Sequence, residues 1–298
     1  MRHMLFVVNP KSGKVTIKSN LLAIVDEFTK AGYIVTVYTT QKPKDATETV
    51  KKYGNDFDVI VCAGGDGTLD EVVTGVMELD ISKPIGYIPS GSTNDFARSM
   101  GISADNVEAA KIITNDKLFQ CDLGRFNEDY FTYIAAFGAF TEVSYSTPQQ
   151  TKNVLGHLAY ILEGAKSLPS IQAYDVKVEY EDTVIEDRII YGMVTNSISV
   201  GGMKSFKGEN VCFDDGLFEV LLIKEPKNAL ELNSILGSLL LNDVSNDNMY
   251  FFKASKVKIS STEDISWTLD GEFGGDHKEA VIHNEKQAMS IFRNMEVQ

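Results

Sequence analysis

The sequence predicts two domains of different class, an α/β N-terminal domain with a parallel sheet followed by a C-terminal antiparallel β-sandwich. Three observations carry this. Short, largely apolar strand-like runs alternate with helix-like runs through the first third of the chain. Glycine-, serine- and asparagine-rich turns close three of those strands. Beyond about residue 122 the segments become long, β-rich and mostly alternating in polarity.

The elements follow in order. Leu5 to Val8 is a short buried strand ending at Asn9-Pro10. Ser19 caps a helix with Leu21, Leu22, Ile24, Val25 and Phe28 on one face, and Gly32 closes it. Tyr33 to Thr40 reads as a strand, Asp45 to Tyr53 as a polar helix and Phe57 to Cys62 as a strand. Leu69 to Leu79 is helical, and Pro84 to Pro89 is the fourth strand. The boundary falls near Asp122, giving a nucleotide-binding domain of residues 1–122, with 286–298 as candidates to complete it, and a sandwich of 123–285. Sandwich strands are expected at Tyr130–Phe140, Ala173–Tyr180, Arg188–Thr195, Leu217–Ile223, Lys256–Ser260 and Ile265–Leu269, with a helix near Asn228–Leu241. In Thr147 to Ser170 a helical stripe of Leu155, Leu158, Ala159, Leu162 and Ala165 is flanked by Lys152 and Lys166. It is either a surface helix packed on the sandwich or an amphipathic element that meets membrane or covers a lipid chain.

Composition narrows the function. With 298 residues, 43% apolar and 23% charged, the chain is globular, and 42 acidic against 28 basic residues give a formal charge of −14. Such a field repels polyphosphate backbones, so nucleic acid is not an expected partner, although a local basic patch can still meet anionic lipid. The three cysteines are scattered, which fits a reducing compartment and no zinc site. No apolar run reaches the ~20 residues of a membrane span. The expected location is the cytoplasm, with peripheral contact at the inner face of the membrane.

The chemistry is concentrated at the turns. The third strand runs into Ala63-Gly64-Gly65-Asp66-Gly67-Thr68, and a helix follows. Glycines let backbone N–H groups approach a phosphate, and the helix N-terminus adds its positive end. Ligands of open parallel sheets sit at this edge. Asp66 would repel phosphate unless a divalent cation lies between them, which implies Mg2+ with the nucleotide. The plainer reading is a glycine-rich turn with Asp66 as a helix cap. Asn9-Pro10-Lys11-Ser12-Gly13-Lys14 resembles a P-loop superficially but lacks its first glycine and final Ser/Thr. Pro89-Ser90-Gly91-Ser92-Thr93-Asn94-Asp95-Phe96-Ala97-Arg98 ends the fourth strand; a capped helix start explains Ser92 or Thr93, but explains Asn94-Asp95 less well.

Taken together, Asn-Pro-x-Ser-Gly, Gly-Gly-Asp-Gly-Thr and Pro-x-Gly-Ser-x-Asn-Asp-Phe-Ala resemble the diacylglycerol kinase catalytic-domain family of bacterial soluble lipid kinases, within the NAD kinase/diacylglycerol kinase superfamily. The likeness extends over essentially the whole chain. It implies ATP in a cleft between an NAD kinase-like domain and a β-sandwich. Asn9, Pro10, Lys11, Ser12, Gly13, Thr40, Gly65, Asp66, Gly67, Thr68, Leu69, Asp70, Glu71 and Ser92 match nucleotide-contacting positions. Asp66, Asp95 and Asp122 match a carboxylate cluster that organises the catalytic Mg2+, partly through water. Leu269-Asp270-Gly271-Glu272 matches an Asp-Gly-Glu motif in which Asp270 is general base on the lipid hydroxyl and Glu272 supports the site; on its own the string reads as a hairpin turn. Asp215 and the carbonyls of Cys212 and Leu217 match a structural Mg2+ site, where unaided reading gives only a turn. Asp70 departs from the family, which usually has Asn; the extra charge weakens ATP binding, alters metal preference or simply caps the helix.

The function implied is transfer of the ATP γ-phosphoryl group to a lipid hydroxyl, with diacylglycerol as the expected acceptor. The alternatives are another acceptor (phosphatidylglycerol, a sphingoid base or NAD) or a silent module that senses nucleotide or lipid. The four histidines form no metal or triad spacing, and no Gly-x-Ser-x-Gly elbow is present. A homodimer through an exposed sandwich edge is open. Phe137, Phe140, Leu158 and Ile161 are candidate lipid contacts that read equally as core.

Overall fold

In a computed structural model the chain is described at residues 1–13, 16–79, 82–138, 172–196, 199–200, 203–204, 212–241 and 243–294. The expected element at Thr147–Ser170 lies outside these residues, as do Phe140, Leu158 and Ile161. The chain divides into two compact units, Met1–Cys121 with Gln287–Gln298, and Asp122–Lys286.

In the first unit, β1 (Arg2–Val8) lies between β2 (Tyr33–Thr39) and β3 (Val59–Gly64), both parallel to it. β4 (Ile85–Pro89) is parallel to β3. The end of the long β15 (Glu272–Phe292) then runs parallel beside β4, with Ile291 opposite Ile85. Residues of β3 and β4 are buried throughout, as a sheet covered on both faces requires. β2 is an edge strand, and its Ile34 and Val37 are exposed. Helices α1 (Thr16–Lys30) and α5 (Asn106–Thr114) pack together, as do α2 (Asp45–Tyr53) and α3 (Asp66–Glu78). Parallel register brings Val8 level with Ala63, and Gly64 level with Pro89. The three motif turns therefore leave the sheet at one edge.

Two helix expectations need correction. Ser19 lies inside α1, which begins at Thr16 because Ile17 joins Ile24 and Phe28 on the buried stripe; Leu22 faces solvent at 81% exposure. Helix α3 begins at Asp66, directly after the turn, and not at Leu69.

The second unit is antiparallel. β7 (Ile134–Gly138), β9 (Thr183–Thr195), β12 (Phe218–Lys224) and β13 (Met249–Ala254) pair in the order β7–β9–β12–β13. β8 (Tyr174–Tyr180) joins β9 to β14 (Lys256–Leu269), which also pairs with β7 and β15. β5 (Leu118–Phe126) forms a hairpin with β6 (Asp129–Phe131), and a short ladder joins β10 (Ser199–Val200) to β11 (Met203–Lys204). Helix α6 (Ala229–Leu241) buries Ile235 and Leu239. The core centres on Trp267, whose ring lies 4.7 Å from Phe137 and 4.9 Å from Phe126. Phe137 is thus a core residue.

The strand expected over Tyr130–Phe140 is broken at Thr132–Tyr133, where backbone N–H groups leave the ladder for a side chain described below. Conversely, Lys256–Ser260 and Ile265–Leu269 belong to one strand, β14, whose register shifts between them.

Candidate active site

The first unit brings its three turns together through bare backbone. Gly64 O accepts hydrogen bonds from Ser90 N at 2.8 Å and Gly91 N at 3.2 Å. A Cβ on Gly91 would stand 2.5 Å from Gly65 Cα, so no side chain fits there without moving backbone. Gly13 has φ +54°, and a Cβ on it would lie 2.0 Å from Ser90 O. Asn9 joins the first turn to the second: its N–H donates to Ala63 O at 2.8 Å and its Nδ2 to Thr68 Oγ1 at 3.1 Å. Lys11 N donates to Asn9 Oδ1, and Ser12 Oγ to Asn9 O, which folds Asn9–Gly13 back on itself. Gly65 precedes α3 without a side-chain cap. The result is a strand–turn–helix edge whose helix N-terminus suits an anion.

Asp66 does something the sequence did not indicate. It is the first residue of α3, yet its carboxylate accepts from Asp95 N at 3.1 Å and Phe96 N at 3.4 Å, binding the start of α4 (Asp95–Ser99) to the second turn. Asn94, at φ +52°, closes the third turn by exchanging hydrogen bonds with Gly91. Tyr87, within the fourth strand, belongs to none of the sequence motifs. Its hydroxyl lies 3.3–3.5 Å from Gly64 O, Asp66 Oδ1 and Asn94 Oδ1, and burial together with the Asp66 charge raises its pKa far above the usual phenol. Glu71 accepts from Lys44 N at 2.9 Å and Ala46 N at 3.1 Å, so its carboxylate ties α3 to the loop after buried Thr40. Ser92 is exposed, Asp70 half-buried on α3, and Gly67, Thr68 and Leu69 form the first turn of that helix.

In the second unit the central group is Asp270. It is 6% exposed, sits at φ +49°, and has both oxygens fully engaged. Oδ2 accepts from Thr132 N at 2.5 Å and Thr132 Oγ1 at 2.7 Å; Oδ1 accepts from Tyr133 N at 3.0 Å and Ile134 N at 2.9 Å. Burial pushes the carboxyl up to about 6, and the four donors oppose it, so the group is ionised at neutral pH. Glu272, two residues on, is exposed. The Thr132 contact had no sequence signal, because a lone threonine in an apolar run reads as strand.

Asp122 is fully buried, and its Oδ2 accepts from Gly216 N at 2.6 Å while its N–H donates to Phe213 O at 2.7 Å. It therefore holds the turn that contains the expected metal-binding positions. Asp215 Oδ1 accepts from Leu217 N at 2.9 Å, and Cys212 is exposed. Among the described residues no group of three or more His, Cys, Asp or Glu is placed to hold a metal ion. Asp66 and Asp95 beside an anion-suited helix terminus still fit Mg2+, which is commonly held by one or two carboxylates with water and substrate phosphates.

The α/β unit carries an edge suited to an anion and the β-sandwich unit a buried carboxylate turn, the kinds of group that phosphoryl transfer uses. Residues 3–126 match the diacylglycerol kinase catalytic domain, and residues 136–292 match the YegS C-terminal NAD kinase beta sandwich-like domain. A Bacillus subtilis (strain 168) protein named diacylglycerol kinase is 35% identical over 92% of this chain and 91% of its own. A Staphylococcus saprophyticus protein of the same name is 33% identical over 96% and 93%. A Bacillus anthracis str. Sterne structure titled as a diacylglycerol kinase superposes with TM-score 0.79 at 25% identity, covering 100% of this chain and 98% of that one. A second from that organism, titled as a candidate diacylglycerol kinase, gives 0.85 at 28%, covering 100% and 97%. The chain belongs to the diacylglycerol kinase family and is a lipid kinase.

Proposed function

We propose that the protein transfers the γ-phosphoryl group of ATP to a lipid hydroxyl, converting diacylglycerol to phosphatidic acid. The observation that carries this is the packing of three strand-end turns through Gly13, Gly65 and Gly91, which leaves backbone and a helix N-terminus where polyphosphate is best received. Asn9–Gly13, Gly65–Asp70 and Ser92 contact the nucleotide, and Glu71 acts by holding the loop that carries Thr40. Asp66 and Asp95 would hold Mg2+ directly or through water, and the bound ion would neutralise phosphate charge; Asp122 is the further carboxylate that the family resemblance assigns to this role. The turn of Cys212, Asp215 and Leu217 is assigned to a structural Mg2+.

The hydrogen bonds of Asp270 favour a different division of labour in the Asp-Gly-Glu turn from the one the resemblance implies. Asp270 has four hydrogen bonds on two oxygens and no lone pair left for a substrate proton. Glu272 is exposed and three-atom flexible, so it takes the hydroxyl proton while Asp270 fixes the turn that presents it. A diacylglycerol substrate resides in a bilayer, and no helix among the described residues is long and apolar enough to cross one. Contact at the membrane surface follows as part of the same proposal.

The test is incubation of the purified protein with labelled ATP and a panel of diacylglycerol, phosphatidylglycerol, a sphingoid base and NAD. Label in phosphatidic acid is expected. Label in NAD alone, or in nothing, overturns the proposal.

A further inference from the structure

In the second unit a buried polar chain joins Asp270 to Asp122 through Thr195 and Asn196, which neither the sequence motifs nor the proposed roles use. It begins at the Asp270 carboxylate, which accepts from Tyr133 N. The carbonyl of the same Tyr133 accepts from Thr195 Oγ1 at 2.6 Å and from Asn196 N at 3.1 Å. Asn196 Nδ2 then donates to Asp122 O at 3.3 Å, and Asp122 Oδ2 accepts from Gly216 N at 2.6 Å. Thr132, Thr195, Asn196 and Asp122 are each no more than 1% exposed. Asn196 Oδ1 is buried with no hydrogen-bond partner among the described residues.

Burying this many polar groups is costly when a domain could fill the space with apolar side chains, and a buried unsatisfied oxygen adds to that cost. What the arrangement provides is rigidity, because each member restricts the next and all sit in a low-dielectric interior. Its two ends are the turn that presents Glu272 and the turn at Cys212–Leu217. Asn196 is the joint, because its backbone bonds toward Tyr133 and its side chain toward Asp122. Its amide orientation is fixed by chemistry, since only the NH2 can face the Asp122 carbonyl.

We infer that Asn196 is a positioning residue that locks the 212–217 turn to the 132–134 segment holding Asp270, so that both turns keep one geometry during catalysis. The inference rests on the functional assignment of those turns, but the hydrogen-bond coupling stands apart from it and can be measured without substrate or metal.

The test uses the full chain carrying Asn196→Ala, compared with wild type by amide hydrogen exchange in metal-free buffer and by steady-state kinetics. Exchange in the 213–217 peptide should accelerate about tenfold, with α3 and Val220–Ile223 unchanged, as loss of one buried hydrogen bond predicts. In kinetics with diacylglycerol, kcat should fall about tenfold while KM for ATP stays within twofold. If Asn196→Ala does not fold, Asn196→Ser, which is too short to span to Asp122, takes its place under the same criteria. Uniform acceleration across the second unit, or unchanged exchange at 213–217, overturns the coupling. Local acceleration with unchanged kcat overturns the positioning role while leaving the hydrogen-bond chain intact. Failure of the kinase assignment would instead appear as absence of product from wild type.

Discussion

Replacing Asp270 with asparagine tests how its carboxylate is used, because the two sides of the group are not equivalent. An amide offers one acceptor oxygen where the carboxylate offers two, so one pair of donors must face an NH2. Turned toward Tyr133 N and Ile134 N, the NH2 would confront two backbone donors that cannot adapt. Turned toward Thr132, it faces one backbone N–H and one hydroxyl, and that hydroxyl can rotate to accept. The second orientation wins and leaves one buried backbone donor unsatisfied, at about 1–3 kcal/mol. For a unit of this size that lowers Tm by roughly 2–10 °C. Thermal and urea unfolding of Asp270→Asn at pH 7.5, without ligands, measures it. An unchanged midpoint would refute the claim that Asp270 anchors the turn.

Three further outcomes are expected. Gly91→Ala drives a Cβ to 2.5 Å from Gly65 Cα and 2.7 Å from Asn94 Oδ1, so titration with Mg·ATP should show at least about tenfold weaker binding. Gly237→Ala, on α6 with nothing within 4 Å, should leave binding unchanged and stabilise that helix by up to about 1 kcal/mol. Glu219 on β12 is 1% exposed, with Lys253 Nζ at 3.1 Å, and burial pushes its carboxyl up to about 7. A carboxyl raised on folding stabilises most below its unfolded pKa and loses that contribution as pH rises through 7. Unfolding free energy should therefore fall by roughly 3 kcal/mol between pH 4.5 and 8 from this group, and Glu219→Gln should flatten that slope in urea titrations.

The sheet edge was legible in sequence because its signals are local. Gly64-Gly65 and Ser90-Gly91 each follow an apolar strand directly, and parallel register does the rest. The helix starting at Ser19 was misplaced because Ile17 gains its meaning only from the stripe it shares with Ile24 and Phe28. Asp66 invited a choice between helix cap and metal organiser, and the helix it caps proved to begin 29 residues later, at Asp95. The same limit governed Asp270: its partners at Thr132–Ile134 lie more than 130 residues away, and no spacing rule reaches that far. Strand β15 was missed because its alternating polar residues, from His277 to Lys286, dilute the apolar signal of a strand exposed along much of its length. Long-range hydrogen bonds hold the carboxylates of Asp66, Asp122 and Asp270, and these bonds exist only in the folded chain.

The proposed division of labour gives the proton to Glu272 and the turn to Asp270. Its most direct test is kcat of Glu272→Gln with diacylglycerol and ATP, measured beside KM for ATP and the unfolding midpoint. The account predicts kcat lower by about 10²–10⁴, with KM for ATP and the midpoint unchanged. A Glu272→Gln enzyme that phosphorylates diacylglycerol at the wild-type rate would contradict it.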